Sequence, residues 1–276
     1  MKIFVNTKQN KYNICIKQNI LYDVSDYIKI NRSQKVFIIT DNNIPLEYVN
    51  ILKRQYSNSF VYTIRSGEKS KSISNYKNIL KCLVENNFNR KDSIIALGDG
   101  VVGDLSGFVA STYMRGIDFY NIPTYLLSMV DSSIGGKTAI NFLGFKNIVG
   151  SFNQPKSVCI DINLLKTLPK RNFYNGLVES IKMAATFDKE LFNFINNSTN
   201  INNDIEKIIV SSLKLKKQIL EQDEREIGLR KTLNFGHTLG HVIEELSFGK
   251  LYHGECVGIG MLYFSSKDVR KKLENV

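Results

Sequence analysis

The sequence has only four cysteines, Cys15, Cys82, Cys159 and Cys256, and none shares a CxxC spacing with another. That excludes a disulfide framework and a thiolate zinc knuckle, and leaves them as buried thiols. No stretch offers ~18 uninterrupted apolar residues, so no membrane span is expected. The opening MKIFVNTKQNKYNICI lacks an apolar run long enough for a signal peptide, which points to the cytoplasm. Acidic residues fall short of basic ones, 26 against 37, leaving a formal net charge of +11. There is no RNP, helix-turn-helix or finger pattern, and the lysines are dispersed, with only short clusters such as Lys214, Lys216 and Lys217. A strongly anionic small substrate therefore fits better than nucleic acid. What remains, 276 residues with 43% hydrophobic content, is enough for two domains with cores of their own.

Histidine occurs only three times, and all three copies lie in LNFGHTLGHVIEELSFGKLYHGE, as His237, His241 and His253. His237 and His241 are four apart and share one helical face, a spacing at which two imidazoles can hold one divalent ion. Glu244, Glu245 and Glu255 stand close by in sequence, and a metal with open positions usually takes nitrogen ligands and one carboxylate. A lone histidine on an apolar helix face is normally a hydrogen-bonded core residue; three in one segment favour a metal site.

Up to about residue 165, short β-branched runs alternate with helical stretches, the pattern of an α/β domain on a mainly parallel sheet. The expected strands are Val36 to Thr40, Phe60 to Ile64, Ser93 to Leu97, Phe119 to Ile122 and Val158 to Ile160; Leu46 to Gln55 and Ser74 to Asn86 read as helices. KVFIITDNN ends its strand in Asp41, Asn42 and Asn43, and ligands of open α/β sheets sit at such carboxyl ends. From residue 166 an all-α domain is expected, with helices at Phe173 to Ala185, Asp204 to Leu220, Thr238 to Leu246 and Cys256 to Lys272, and a polar loop over Asn196 to Asn203. The boundary falls near LKTLPKR, where Pro169 interrupts.

Four motifs could carry chemistry. GDGVVGDLSGF follows a strand and leads into a helix, where Gly98, Gly100, Gly103 and Gly107 let backbone amides approach a pyrophosphate. DSSIGGKTAINFLGFKN resembles the tail of a Walker A loop, but Asp131 stands where its first glycine belongs, so a P-loop ATPase is excluded; Lys137 and Lys146 remain as point charges in a glycine-bearing loop. In the helix of Asp204 to Leu220, Lys216 falls on the apolar stripe with Ile205, Ile209 and Leu213 and needs a buried anion or a ligand as partner. Glu179 and Lys182 in NGLVESIKMAA are three apart, and periodicity turns both away from Leu177, Ile181 and Ala184, which reads as an exposed ion pair.

Taken in order, GDGVVGDLSGFVASTYMRGI, IPTYLLSMVDSSIGGKTAIN, KN, QPKSV, LKTLPKR, GLVESIK, DEREIGLRKTLNFGHTLGHVIE and HGECVGIGM resemble the 3-dehydroquinate synthase family from about Gly67 to Met261. The resemblance implies a Rossmann-like NAD domain, then a helical domain carrying zinc or cobalt, in a homodimer. It implies conversion of DAHP to 3-dehydroquinate and phosphate through transient oxidation by NAD, phosphate elimination, reduction and aldol closure. Residue by residue, it implies Glu179, His237 and His253 as metal ligands, displacing His241 to the substrate and moving Glu179 and Lys182 from the surface into the site. The implied substrate set is Asp131, Lys137, Lys146, Asn147, Lys182, Lys216, Arg230, Asn234 and His241, with Arg115 reaching into the neighbouring subunit. The implied NAD set is Asp41, Asn43, Glu68, Lys71, Gly100, Val101, Asp104, Thr124, Tyr125, Leu127, Ser132, Leu164 and Thr167.

Four departures from the family pattern are expected to matter. Asp99 turns the usual GGG into GDG and brings a carboxylate to the pyrophosphate. Tyr125 replaces the second threonine after Pro123 and crowds the same pocket. Phe145, with Gly144 before it, reshapes the loop of Lys146 and Asn147. The chain stops at Val276, whereas family members continue through further helices that include a phosphate-contacting lysine; the last stretch, SSKDVRKKLENV, still reads as a helix. Two alternatives stand beside this activity: a related cyclase acting on another sugar phosphate, and a non-catalytic remnant of the same fold. A glycerol dehydrogenase, a neutral-polyol enzyme of the same fold, is disfavoured by the dense cations.

Overall fold

The computed structural model describes residues 1–8 and 10–274, and the chain divides into two compact units, Met1–Lys166 and Thr167–Val276. The first is built on a seven-stranded sheet of β1 (Lys2–Asn6), β2 (Lys11–Ile16), β3 (Val36–Asp41), β4 (Ser59–Ile64), β5 (Ser93–Gly98), β6 (Asp118–Pro123) and, after a separate hairpin, β9 (Ser157–Ile160), in the order β1-β2-β9-β6-β5-β3-β4. Only β1 and β2 run antiparallel; every other pairing is parallel. β3 and β5 are buried at all their positions, which is why they read as continuous apolar runs rather than alternating ones. Helices α1 (Leu46–Gln55), α2 (Ile73–Glu85) and α3 (Gly100–Thr112) connect these strands. Ile79 and Leu83 of α2 and Val102, Leu105 and Val109 of α3 join Phe37, Ile39, Ile94 and Ala96 of the sheet in one buried cluster, each of the larger side chains contributing about 2 kcal/mol.

Two features of this unit differ from expectation. The N-terminal hairpin went unread, although β1 alternates, with Ile3 and Val5 inward and Phe4 outward. DSSIGGKTAINFLGFKN is not a loop: Lys137 opens β7 (Lys137–Phe142), and Lys146 and Asn147 lie in β8 (Phe145–Phe152), an antiparallel two-stranded sheet. Its turn takes positive φ at both Leu143 (50°) and Gly144 (85°), the conformation that matches the twist of paired strands. A bulge follows, with Asn147 at φ 55° and its amide donating to Asn141 Oδ1 at 2.9 Å.

The second unit is helical: α4 (Lys170–Phe187), α5 (Lys189–Asn196), α6 (Ile201–Gln222), α7 (His237–Leu246), α8 (His253–Phe264) and α9 (Lys267–Leu273), with a 3-10 segment, Leu229–Asn234, before α7. Pro169 sits at the cap of α4, where its missing N–H costs nothing. The polar loop shrinks to residues 197–200, because α5 was missed and Asn200 caps α6 by accepting from the amides of Asn202 and Asn203. The single helix expected over Cys256 to Lys272 is broken at Ser265 and Ser266 into α8 and α9. The helix read from SSKDVRKKLENV extends over Asn275 and Val276, which lie outside the described residues. Among the described residues, no helix is long and apolar enough to cross a membrane.

Candidate metal centre and nucleotide end

Helix α4 has no solvent face through its middle: Gly176, Leu177, Glu179, Ser180, Ile181, Lys182, Met183 and Ala184 are all buried. The exposed ion pair read from periodicity is therefore a buried one. Glu179 and Lys182 are 1% and 3% exposed and bonded to each other through Glu179 Oε2 and Lys182 Nζ. An amphipathic reading assumes water on one side of the helix, and here neighbouring helices cover both.

α7 and α8 bring two imidazoles to Glu179 by packing on glycine. A Cβ on Gly260 would lie 2.1 Å from the carbonyl oxygen of Gly236, and one on Gly240 would lie 3.1 Å from that of Cys256, so only glycine allows this approach. Gly236, at φ 80°, starts α7. The start of α8 is tied to α4 three ways: Gly254 N donates to Asn175 Oδ1 at 2.6 Å, Arg171 forks onto Glu255 at 2.7 and 2.8 Å, and Arg171 lies 4.1 Å over the Tyr252 ring. Glu255, one of the candidate carboxylates, also accepts from Tyr252 N at 2.8 Å and is thus a structural residue.

The outcome is a cluster in which His237 Nε2 and His253 Nε2 lie 3.9 and 3.7 Å from Glu179 Oε1. That oxygen is buried and accepts no hydrogen bond. Ligands on a tetrahedral ion with bonds of ~2.0–2.1 Å would sit about 3.4 Å apart, so small movements would bring all three onto one ion. The far ring nitrogens are held: His237 Nδ1 lies 3.3 Å from Phe235 O, and His253 Nδ1 lies 3.1 Å from Glu244 Oε2. Burial pulls His237 down to about 4, with Lys182 adding to it, so its ring is neutral near pH 7. Burial also pulls on His253, but the Glu244 bond and the carboxylates of Glu179 and Glu244 outweigh it and leave its pKa raised. An unsatisfied carboxylate oxygen, two imidazoles aimed at it and an outer carboxylate on one ring are what a catalytic divalent site requires. Glu244 in this orienting role was missed; its signal is the spacing of nine residues to His253 across a tight turn.

His241 is exposed but joins the other two, with the ligand nitrogens of all three histidines within 4.8 Å of one another. Two ligand sets thus share His237 and His253, and Glu179 supplies the buried atom that lacks a partner. Lys216 and Arg230 are buried in the same unit at 4% and 3% exposure. Arg230 Nη1 donates to Glu224 O at 2.6 Å, and Asn234 Nδ2 to Glu226 Oε1 at 2.9 Å. Lys214, off the stripe, is exposed.

In the first unit, the parallel strands end together at Asp41, Gly98 and Pro123. Asp41 is 2% exposed, its Oδ1 accepting from Asn43 N at 2.8 Å and its Oδ2 without a partner; Thr124 Oγ1 is likewise buried and unpartnered. Burial lifts the Asp41 carboxyl above its ordinary range. Lys71 and Asp104 form an ion pair, and Glu68 Oε1 accepts from Asn141 Nδ2 at 2.8 Å. A Cβ on Gly100 would meet Ser132 Oγ at 3.0 Å, so Ser132 lies against the start of α3 with Val101. Tyr125 and Leu127 follow β6, and Leu164 lies in a 3-10 turn, Ile162–Thr167, whose last residue, Thr167, belongs to the second unit. Arg115 is exposed at φ 68°, directly after Met114 at φ 50°. Asp131 and Ser132 lie in a π-helical turn, Ser128–Ser132.

The sequence profile described as 3-dehydroquinate synthase N-terminal matches residues 61–175, and that described as 3-dehydroquinate synthase C-terminal matches residues 176–274. A 3-dehydroquinate synthase of Streptococcus thermophilus (strain CNRZ 1066) is 44% identical over 283 residues, covering 99% of this chain and 80% of the relative. One from Prochlorococcus marinus is 41% identical, covering 100% and 79%. The crystal structure of 2-deoxy-scyllo-inosose synthase complexed with carbaglucose-6-phosphate, NAD+ and Co2+ superposes with a TM-score of 0.91 at 25% identity, covering 100% of this chain and 80% of that one. In fold, the chain also matches 2-epi-5-epi-valiolone synthase from Streptomyces hygroscopicus subsp. jinggangensis 5008 with NAD+ and Zn2+ bound, at a TM-score of 0.87 and 24% identity, covering 98% and 82%.

Proposed function

Because this chain belongs to the 3-dehydroquinate synthase family, we infer that Glu179, His237 and His253 hold its divalent metal and that its lysines and arginines bind the anionic substrate. The protein is a phosphate-eliminating lyase of the shikimate pathway that forms 3-dehydroquinate from DAHP, using NAD and a divalent metal, zinc or cobalt. The observation that carries the ligand assignment is the buried, unpartnered Glu179 Oε1 facing two Nε2 atoms. When bound, the metal eases deprotonation of the hydroxyl that NAD oxidises.

Lys182 holds Glu179 Oε2 and so turns Oε1 toward the imidazoles. Lys216, Arg230, Lys137 and Lys146 give the carboxylate and phosphate of the substrate charged donors, which fix its pose. Asn147, Asn234, His241 and Asp131 complete the polar set. Asp41, Asn43, Glu68, Lys71, Gly100, Val101, Asp104, Thr124, Tyr125, Leu127, Ser132, Leu164 and Thr167 form the NAD set. The exposed Arg115 reaches the site of a second copy in a homodimer, and the protein works in the cytoplasm.

The test follows phosphate and dehydroquinate together, with DAHP, NAD and metal-loaded protein. Both products appear with the unaltered chain and fall by at least ~10³-fold in Glu179→Ala and His253→Ala, with bound metal lost in parallel. Turnover that survives in both variants removes this ligand set.

A further inference from the structure

Helix α3 begins where β5 ends, and its first amides point out of the carboxyl edge of the sheet. Such amides are a ready seat for an anion, and a dinucleotide diphosphate is the anion that α/β sheets bind there. In this chain a side chain already occupies the seat. Asp99 is the cap residue, and its Oδ1 accepts from Val102 N at 3.0 Å. A Cβ on the preceding Gly98 would lie 2.6 Å from Val102 Cγ2, so the backbone is packed tightly against the first turn.

The surrounding charge is of the wrong sign for a diphosphate, although the whole chain carries +11. Asp41 at the end of β3 and Glu68 in the adjoining turn both act on Asp99. Lys71, the buried cation nearby, is engaged by Asp104 of α3, and Asp131 acts on Asp104 from the π-helical turn. The exposed Lys137 opens β7, which packs on α3. Burial lifts the Asp99 carboxyl to about 6, the amide bond to Val102 opposing it and Asp41 and Glu68 adding to the rise.

We propose that Asp99 sets the affinity for the dinucleotide: its carboxylate occupies the α3 amides that the cofactor diphosphate needs, so NAD binds with displacement of this side chain or with uptake of a proton by it. This rests on the NAD reading above. An asparagine at this position keeps the capping oxygen and removes the charge, and a glycine removes both.

The experiment measures NAD binding calorimetrically at pH 5.8 and pH 8 with the metal-loaded wild type, Asp99→Asn and Asp99→Gly, after thermal melting has verified that each is folded. At pH 8 both variants should bind about tenfold tighter than the wild type. The wild type should tighten toward pH 5.8, whereas the variants change by less than about threefold over the same range. Titrating the wild type near pH 7 in two buffers of different ionisation enthalpy reads proton uptake without a substitution. Equal affinities at pH 8, with no proton taken up, would overturn the role of Asp99 while leaving NAD as the cofactor. Absence of NAD binding in all three folded proteins overturns the cofactor reading, and this inference with it.

Discussion

Glu179 gives one oxygen to Lys182 and leaves the other, without a hydrogen bond, facing two imidazoles, and this makes the metal centre sensitive to groups that do not touch the metal. Glu244 is the clearest case, because it holds the His253 ring from behind at 3.1 Å. Glu244→Gln should weaken metal binding about 10–100-fold, read by competition with a chromophoric chelator. The same titration carries a pH signature. The raised pKa of His253 makes the proton its competitor, so metal affinity falls as pH drops through that raised value, and Glu244→Gln should move that loss to lower pH. In the metal-free protein the sign for stability is opposite. The charged His253–Glu244 pair contributes fully below the unfolded value of about 6.5 and is lost as pH rises through the folded value. At this scale the sequence was half legible. Three histidines in one segment announced a metal, and periodicity alone found the buried Lys216. Periodicity misread Glu179 and Lys182, because it registers one wet face and α4 has none there.

Among elements, the glycine contact between α7 and α8 decides whether His237 and His253 can share an ion. Gly260→Ala would drive a methyl into the Gly236 carbonyl at 2.1 Å, a clash with backbone that no rotamer relieves. We expect a loss of about 2–3 kcal/mol in urea unfolding, together with a drop in metal stoichiometry as the two helix starts move apart. Buried strands and long helices were easier to read than short elements such as β1, β2 and α5. The buried parallel strands stood out as β-branched runs, whereas asparagine and serine over residues 196–203 concealed the end of one helix and the cap of the next. The β7–β8 hairpin was hidden by Gly135 and Gly136, which resemble a phosphate loop, while the tight turn itself is made by Leu143 and Gly144.

For the molecule as a whole, the +11 charge acts on encounter rather than on chemistry. The KM for the anionic substrate should rise several-fold between roughly 0.05 and 0.5 M salt, with kcat little changed, in steady-state assays. A kcat that fell in parallel would point instead to ions competing at the metal. The alternation of strands and helices announced an α/β unit followed by helices, but not the order of the sheet, because the partners of a strand are set by residues far from it.

β2 illustrates this most sharply. It lies between β1 and β9, with Ser157 Oγ donating to Asn13 O across 144 residues of chain. During synthesis at ~5–20 residues per second, β2 leaves the ribosome roughly 7–30 s before β9. For that interval the KYNICI strand has one neighbour and one open edge. The nascent N-terminal hairpin is thus an early-made, late-sealed segment, whose second edge is closed only when β9 has been made.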